Sequence, residues 1–497
     1  MGIVFRQSIK TTIITFFGAA LGGVLLIVST NVMEKQDLGF VRNLPNQAVV
    51  ASFFLIAGMS NTLFFYLHRF DEGENKEKKS VLMSLCFLVP LCIYLLMAAC
   101  YFLFKDYWLN HYQIQDVAIM KQYFICFPLF AFFNLTMMML EAFLNAHTKS
   151  AQISFVREIF IKGLNLLLFI LFGFGLLSFG IFVYSFVCVN LLSVLLLFFL
   201  ARKINDFRFS LNWSLLSQTE YRAIFMFAGF HALMGISGTL MGFLDGQLLA
   251  IYDKSGLASV SIYTSAVFIA TLISIPSRAM TAPASADISR AYAQNLHEKV
   301  KDSYSRSGLN IFIASVFMCV LISCNLHNAL AIMPVGYEAV FGVTLIMLIG
   351  RLVDSGTGLN DLALNMSPHY KVNFYLSVGF VVLMIVLFRI MIPPFGVYGA
   401  AWVFSITVAL FNAAKTYFVW KKMNLHPFSK GTLTTLFIGV SVMAMVFFLP
   451  KFPNPYIDAV LRSGLIAFLF IGLVFWLKPS KDISHYVNET LKKKKLF

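Results

Sequence analysis

Long apolar runs separated by short polar connections recur from one end of the chain to the other. A helix of about 20 apolar residues spans the hydrocarbon core of a bilayer, and runs of roughly 18 or more are read as candidate spans. On that criterion there are fourteen, at approximately 9–32, 45–67, 81–104, 119–144, 152–177, 179–201, 221–251, 257–281, 307–333, 336–361, 371–391, 395–420, 431–449 and 456–477. The expected fold class is therefore an all-α polytopic membrane protein with about 14 transmembrane helices. No cleavable signal peptide is evident, because the first run is long enough to remain a helix and lacks a small-residue cleavage site.

Polar residues inside these runs carry the functional information, since ionisable groups within a membrane are costly. The seventh run holds Asp245 next to Gly246, in a stretch where Gly235, Gly238, Gly242 and Gly246 interrupt Phe, Leu, Met and Ala. The last three recur every four residues, which suits either a close helix–helix ridge or a helix able to bend. An ionised Asp245 facing lipid at the helix centre costs roughly 2.5–3.5 kcal/mol, so it is expected to face protein or a water-filled cavity. In the fourth span, Asn134, Glu141 and Asn145 fall on one helical stripe. Arg157, Glu158 and Lys162 open the fifth span, with Glu158 and Lys162 four apart and able to pair. These charges read either as interfacial anchors with snorkelling side chains or as the lining of a cytoplasm-facing vestibule.

The tenth span is the least compatible with lipid. Arg351, Asp354, Asp361 and Asn365 form a second stripe, with Gly350, Gly356 and Gly358 loosening the helix between them. A buried Arg351–Asp354 ion pair and the handling of substrate or protons are the two readings. Setting the stripes side by side exposes a duplication: Asn134, Glu141 and Asn145 match Asp354, Asp361 and Asn365 at a constant shift of 220. The same shift sets the loop residues Leu38-Gly39-Phe40 on Ala258-Ser259-Val260, between the seventh and eighth spans, and starts the second half at residue 221. Six spans per half is an even number, so the halves share one orientation about an axis along the membrane normal. The expected domains are an N-terminal six-helix lobe (1–220), a C-terminal six-helix lobe (221–425), and two additional helices with a basic tail (426–497).

Composition agrees with the pattern: 59% of residues are hydrophobic, 12% are charged and the mean hydropathy is +0.79, against about 25% charged in a soluble domain. With the N-terminus inside, cytoplasmic segments and their flanks hold 29 Lys and Arg, the outward ones hold 8, and Arg351 lies within a span. This asymmetry places both termini in the cytoplasm. It also explains the net charge of +15 as a topology signal, strongest at Lys492–Lys495, with no need for a nucleic-acid partner. The polar loop Asp71 to Lys79 reads as a solvated linker, and Asp287 to Arg306 as a short surface helix. Seven cysteines, all in apolar runs and without a Cys-x-x-Cys, read as small core residues. The histidines are scattered, so neither a metal site nor another cofactor is expected.

Four stretches carry a resemblance. They are the Leu38-Gly39 turn, Phe243-Leu244-Asp245 leading to Ser261-Ile262-Tyr263, the exit from Pro276 to Pro283, and Pro394-Phe395-Gly396-Val397-Tyr398-Gly399-Ala400-Ala401. Through them the chain resembles the multidrug/oligosaccharidyl-lipid/polysaccharide exporter superfamily, in particular polysaccharide biosynthesis proteins of the Wzx flippase type. The resemblance implies two six-helix bundles in a V shape around a central cavity, alternating access, and residence in a bacterial inner membrane. The implied cargo is an undecaprenyl-pyrophosphate-linked oligosaccharide, moved to the outer leaflet for surface polysaccharide or lipopolysaccharide. Arg157, Lys162, Arg278 and Arg351 are the expected substrate contacts, because charge-assisted hydrogen bonds favour a diphosphate. Asp245, Asp354, Asp361 and Glu141 are the expected coupling or gating carboxylates, with a proton or sodium as the coupling ion. A multidrug or small-cation antiporter and a lipid II flippase are the alternatives within the superfamily. A membrane-embedded glycosyltransferase is disfavoured, since the longest hydrophilic loop carries no dense acid/base constellation.

Overall fold

The computed structural model describes residues 3–70, 76–278, 296–357, 359–365 and 370–480, with isolated positions between 280 and 294 and at 367 and 482. All regular structure among them is helical. The elements are α1 (Ile3–Val32), α2 (Lys35–Ile56), α3 (Met59–Arg69), α4 (Lys76–Leu103), α5 (Lys105–Leu109), α6 (Ile114–Gln122), α7 (Cys126–Ala146), α8 (Ser150–Phe155), α9 (Ile161–Gly173), α10 (Phe179–Arg202), α11 (Gln218–Tyr252) and α12 (Leu257–Thr271). There follow α13 (His297–Ala331), α14 (Ala339–Gly356), α15 (Asn360–Asn365), α16 (Tyr370–Met423), α17 (Lys430–Phe447) and α18 (Pro455–Leu477).

Ten described helices are long and apolar enough to cross a membrane, or eleven if α2 and α3, bent by 56°, are one broken span. The protein is thus a multi-pass helical protein. α16 alone carries two of the apolar runs expected as separate spans. Gly396 divides it, at φ 54° and ψ −133°, a backbone conformation that costs glycine little and other residues much. The prolines Pro393 and Pro394 just before it remove two backbone donors.

The chain packs as two compact units, Met1–Ser261 and Ile262–Phe497. In the first, α2 packs on α7 and α11, α7 on α10, and α1 along α8 and α9. The segment expected as an outward loop, Met33 to Leu44, is helical from Lys35 onward, and Gly39 therefore serves no turn. A Cβ at position 39 would overlap the carbonyl oxygen of Leu257, so the residue is glycine because α12 begins against α2 there. Arg42 reinforces this crossing by donating to the Ser261 carbonyl at 2.9 Å and to Ser29 Oγ at 2.9 Å. The short helix α6 completes the junction. Asp116 accepts from Leu257 N at 2.9 Å and from Gln36 Nε2 at 2.8 Å, and Gln113 donates to the Ile251 carbonyl at 2.8 Å. Burial pushes the Asp116 carboxyl up, against the opposing pull of those two hydrogen bonds.

The polar stretch that reads as a solvated linker is partly buried. Residues 71–75 lie outside the described residues, but Lys79 at the start of α4 is 6% exposed. Its Nζ lies 3.2 Å from Asp206 Oδ2, which His147 Nε2 also approaches at 3.4 Å. Lys78 pairs in turn with Glu220 at 2.8 Å, a residue that closes the capping box at the start of α11 with Ser217. Partial burial pushes the Asp206 carboxyl up, but the hydrogen bonds and positive charge of Lys79 and His147 outweigh it and hold the group below its ordinary value of 3.8. A carboxylate with a lowered folded pKa contributes stability that is present above the unfolded value and lost as pH falls through the folded one. Wild-type protein in detergent is therefore expected to lose melting temperature below about pH 4 more steeply than Asp206→Asn. Parallel melting curves over that range would show that the cluster is not coupled to folding.

The second unit is built on α13. Ile438, Val442 and Val446 of α17 and Ile466, Phe470 and Val474 of α18 recur every four residues and cover Leu309, Phe312, Ile313, Val316 and Val320. The last helix, α18, carries a buried ion pair. Asp458 Oδ2 takes Arg462 Nε at 2.5 Å, Asn328 Nδ2 at 2.7 Å and His327 Nε2 at 3.1 Å, while Oδ1 takes Phe452 N at 3.0 Å. Arg462 also donates to the carbonyls of Val446, Leu449 and Pro450, closing the C-terminal end of α17, where helix carbonyls lack intrahelical partners.

The glycines expected to loosen the tenth span instead admit neighbours. A Cβ on Gly350 would meet the Ser405 backbone at 2.8 Å, and one on Gly356 the Phe312 ring at 3.0 Å. Gly358, Pro283, Asp287 and the tail Lys492–Lys495 lie outside the described residues, as does the packing of Gly235, Gly238 and Gly242. All seven cysteines are free, and Cys92, Cys100 and Cys188 are exposed where a core position was expected.

Candidate substrate-binding site

In the first unit, Ser60, Asn61 and Phe64 of α3 face Met138, Glu141, Ala142 and Asn145 of α7 across a cleft of about 630 Å³. The α7 residues fall at i, i+3, i+4 and i+7 and so share one side of the helix. Thr148 (φ 56°) in the turn out of α7, Ser150 at the start of α8 and Arg157 complete the lining. Arg157 and Glu158 belong to a π-helical turn, Val156–Phe160, between α8 and α9. Such a turn re-registers side chains relative to the α-helix around it and occurs often at functional sites.

Arg157 grips Glu141 with two parallel bonds, Nε to Oε1 at 2.6 Å and Nη2 to Oε2 at 2.9 Å. The Glu141 side chain is 12% exposed and the Arg157 side chain 41%, so the acid is the more deeply covered partner. This bidentate geometry fixes orientation as well as charge. The stripe read from the sequence divides here: Glu141 and Asn145 line the cleft, whereas Asn134 is buried and donates to Ser52 Oγ at 3.0 Å. Glu158 and Lys162 pair as expected, at 2.6 Å, and Lys162 also donates to the Gly18 carbonyl at 2.9 Å. Both lysine bonds stay within the bundle, and the one to Gly18 ties α9 to α1.

The second unit holds a polar seam along α16. Asp354 and Asp361 do not share a helical stripe, because α14 ends at Gly356 and α15 begins at Asn360. They are gathered instead by α16. Asn412 Nδ2 donates to Asp354 Oδ1 at 2.9 Å, and Lys415 Nζ reaches Asp361 Oδ2 at 3.0 Å. Thr357 donates to Asn412 Oδ1, Asn360 to Thr416, and Tyr304 to Asn360, which satisfies the polar groups between them. Lys415 is 1% exposed and lies 4.0 Å from the Phe411 ring centroid. Nothing in the linear pattern singles it out, because a lysine near a span end counts as a topology charge. Its position three residues from Asn412 is the one available signal.

The remaining expected site residues are Arg351 and Arg278 in the second unit and Asp245 in the first. Arg351 is half-buried with its guanidinium 4.7 Å over the Phe404 ring, a favourable cation–π position. Arg278 is exposed. Asp245 is 7% exposed, and its Oδ1 accepts from Gly246 N at 2.8 Å. A Cβ at Gly246 would meet Asn46 Nδ2 at 2.9 Å, so α11 approaches α2 closely beside this acid. No group of three or more potential metal ligands occurs among the described residues.

No family model and no curated protein matches the sequence. Solved structures do share the fold. The chain is similar to the lipid II flippase MurJ in an inward closed conformation, with TM-score 0.71 and 12% identity over 95% of this chain and 99% of that one. It is also similar to a multidrug resistance MATE family transporter of the MOP superfamily in an inward-facing conformation, with TM-score 0.66 and 14% identity over 82% and 94%. A point mutant of the Vibrio cholerae MATE transporter VcmN matches at TM-score 0.55 and 14% identity over 85% and 98%. The architecture is thus that of MATE transporters and of MurJ.

Proposed function

We propose that the chain is a membrane transporter that flips a lipid-linked oligosaccharide of the undecaprenyl-pyrophosphate type from the cytoplasmic to the outer leaflet of a bacterial inner membrane, by alternating access. The observation that carries this reading is the cleft of amides and hydroxyls around Glu141 and Arg157, set in an apolar bundle whose fold is shared with a lipid II flippase. Cargo with a large polar head needs such a place away from lipid. In this reading Arg278 and Arg351 contact the diphosphate, and Asp245 and Asp354 balance charge or accept a coupling proton or sodium. Lys162 acts through the carboxylate it already holds, and Arg157, oriented by Glu141, presents its remaining N–H groups to the cargo.

The similarity to MATE transporters favours a second reading, the export of drugs or small cations. Two of the four candidate acids, Glu141 and Asp361, already carry a cation, from Arg157 and Lys415, which makes them poorer partners for a cationic cargo. The test is to substitute Arg278, Arg351, Asp245 and Asp354 each with Ala, check the protein level, and score surface polysaccharide. At least one, and foremost Arg351→Ala, is expected to lower it severalfold. Unchanged glycan in all four variants, with restored resistance to a cationic dye, would replace the flippase reading by the exporter one.

A further inference from the structure

The charge of the Glu141–Arg157 cleft decides which part of an amphiphilic cargo it suits. Among the described residues that line it, the charged ones are Glu141 and Arg157, and they neutralise one another through two hydrogen bonds. A diphosphate brought here would meet the Glu141 carboxylate paired with the guanidinium, and two of the five N–H donors of Arg157 are already committed to it. The cleft therefore has no excess positive charge with which to compensate a phosphate that has left water, and desolvating an unpaired anion is expensive.

Everything else in the lining suits a neutral polyhydroxylated ring. Asn61 and Asn145 each offer a donor and an acceptor, and Ser60, Thr148 and Ser150 add hydroxyls that play either role. A sugar hydroxyl is likewise both donor and acceptor. The uncommitted N–H groups of Arg157 add charge-assisted donors to neutral oxygens. Phe64, 52% exposed, supplies an apolar face against which the C–H side of a pyranose can lie. The volume of about 630 Å³ falls in the range of about 300–1,000 Å³ typical of pockets for small ligands.

We propose that this cleft is a glycan subsite: it holds a neutral sugar ring of the cargo and not the diphosphate. The proposal rests on the flippase reading and adds to it a division of labour, in which Arg157 positions sugar through its pairing with Glu141.

The test compares export with the binding of a lipid diphosphate that has no sugar. Farnesyl diphosphate is the probe, titrated against the purified full-length protein, and surface glycan is scored in a deletion strain carrying each variant. Asn61→Ala and Asn145→Ala remove cleft polarity without touching the ion pair. Each is expected to lower surface glycan at least fivefold while binding farnesyl diphosphate within twofold of wild type. Arg157→Gln is expected to behave the same way; should it fail to fold, the Asn61→Ala/Asn145→Ala double variant takes its place. More than fivefold weaker farnesyl diphosphate binding in any of these variants would put the diphosphate in the cleft and overturn the proposal, as would full export by the double variant. Failure of the flippase reading has a different signature: wild-type protein would not restore glycan to the deletion strain, and both readings would then fall together.

Discussion

Arg462→Met is expected to destabilise the protein by about 3–5 kcal/mol, the usual consequence of stranding one member of a buried ion pair. Asp458 is 0% exposed and Arg462 5%, so neither charge has water to fall back on. Without the guanidinium, Asp458 keeps Asn328, His327 and Phe452 N as partners, which satisfy hydrogen bonding but no longer balance the charge. Three carbonyls at the end of α17 lose their donor in the same step, and an unsatisfied buried acceptor costs about 1–3 kcal/mol. The expected readout is a large fall in the melting temperature of the detergent-solubilised protein. Because the cost is that of an unpaired charge, the double variant Asp458→Leu/Arg462→Met should recover a substantial part of it. If the single and double variants melt together, the cost is not that of an unpaired Asp458 charge.

Gly39→Ala has the second large expected effect. Its new methyl would overlap the Leu257 carbonyl oxygen, a backbone atom that no rotamer change can remove. Overpacking a tight contact commonly costs about 1–3 kcal/mol, occasionally more, and here the crossing of α2 and α12 must open. The Arg42–Ser261 and Asp116–Leu257 hydrogen bonds would stretch with it. Limited proteolysis at the connection 253–256 is expected to accelerate severalfold. Gly163→Ala is the control, because nothing lies within 4 Å of a Cβ there and alanine in a helix is favoured over glycine by about 0.5–1 kcal/mol. Equal proteolysis of the two variants would show that the α2–α12 approach is loose in solution.

These two positions show where the sequence stops being informative. Helical class, apolar runs and the facing of Glu141 and Asn145 follow from periodicity, which depends on near neighbours alone. The pairing of Glu158 with Lys162 is legible for the same reason. Gly39 is different: a glycine after an apolar run reads as a turn, and only the three-dimensional approach of Leu257 shows that it marks a crossing. Lys415 and Arg462 read as charges flanking spans, because nothing in a linear count distinguishes a snorkelling cation from a buried one held by a carboxylate. Asp361 is legible, but its break from Asp354 is not, since a helix end between Gly356 and Asn360 leaves the apolar pattern intact. Duplication and packing also mark different boundaries. The proposed repeat begins at residue 221, and the contacts divide at 261, because α11 packs on α2 and α3.

That placement of α11 has a consequence for how the protein is made. A chain emerging from the ribosome inserts α1 to α10 before α11 and the first turn of α12 exist, so the faces of α2 and α3 that α11 covers stay open during that interval. Gly39, Arg42 and Asp116 cannot meet their partners until residues 257–261 have left the exit tunnel. The first unit is thus completed by residues that the proposed repeat would assign to the second half. A truncated chain ending near 220 therefore leaves those faces of α2 and α3 without their cover, whereas one ending beyond 261 carries the residues that meet them.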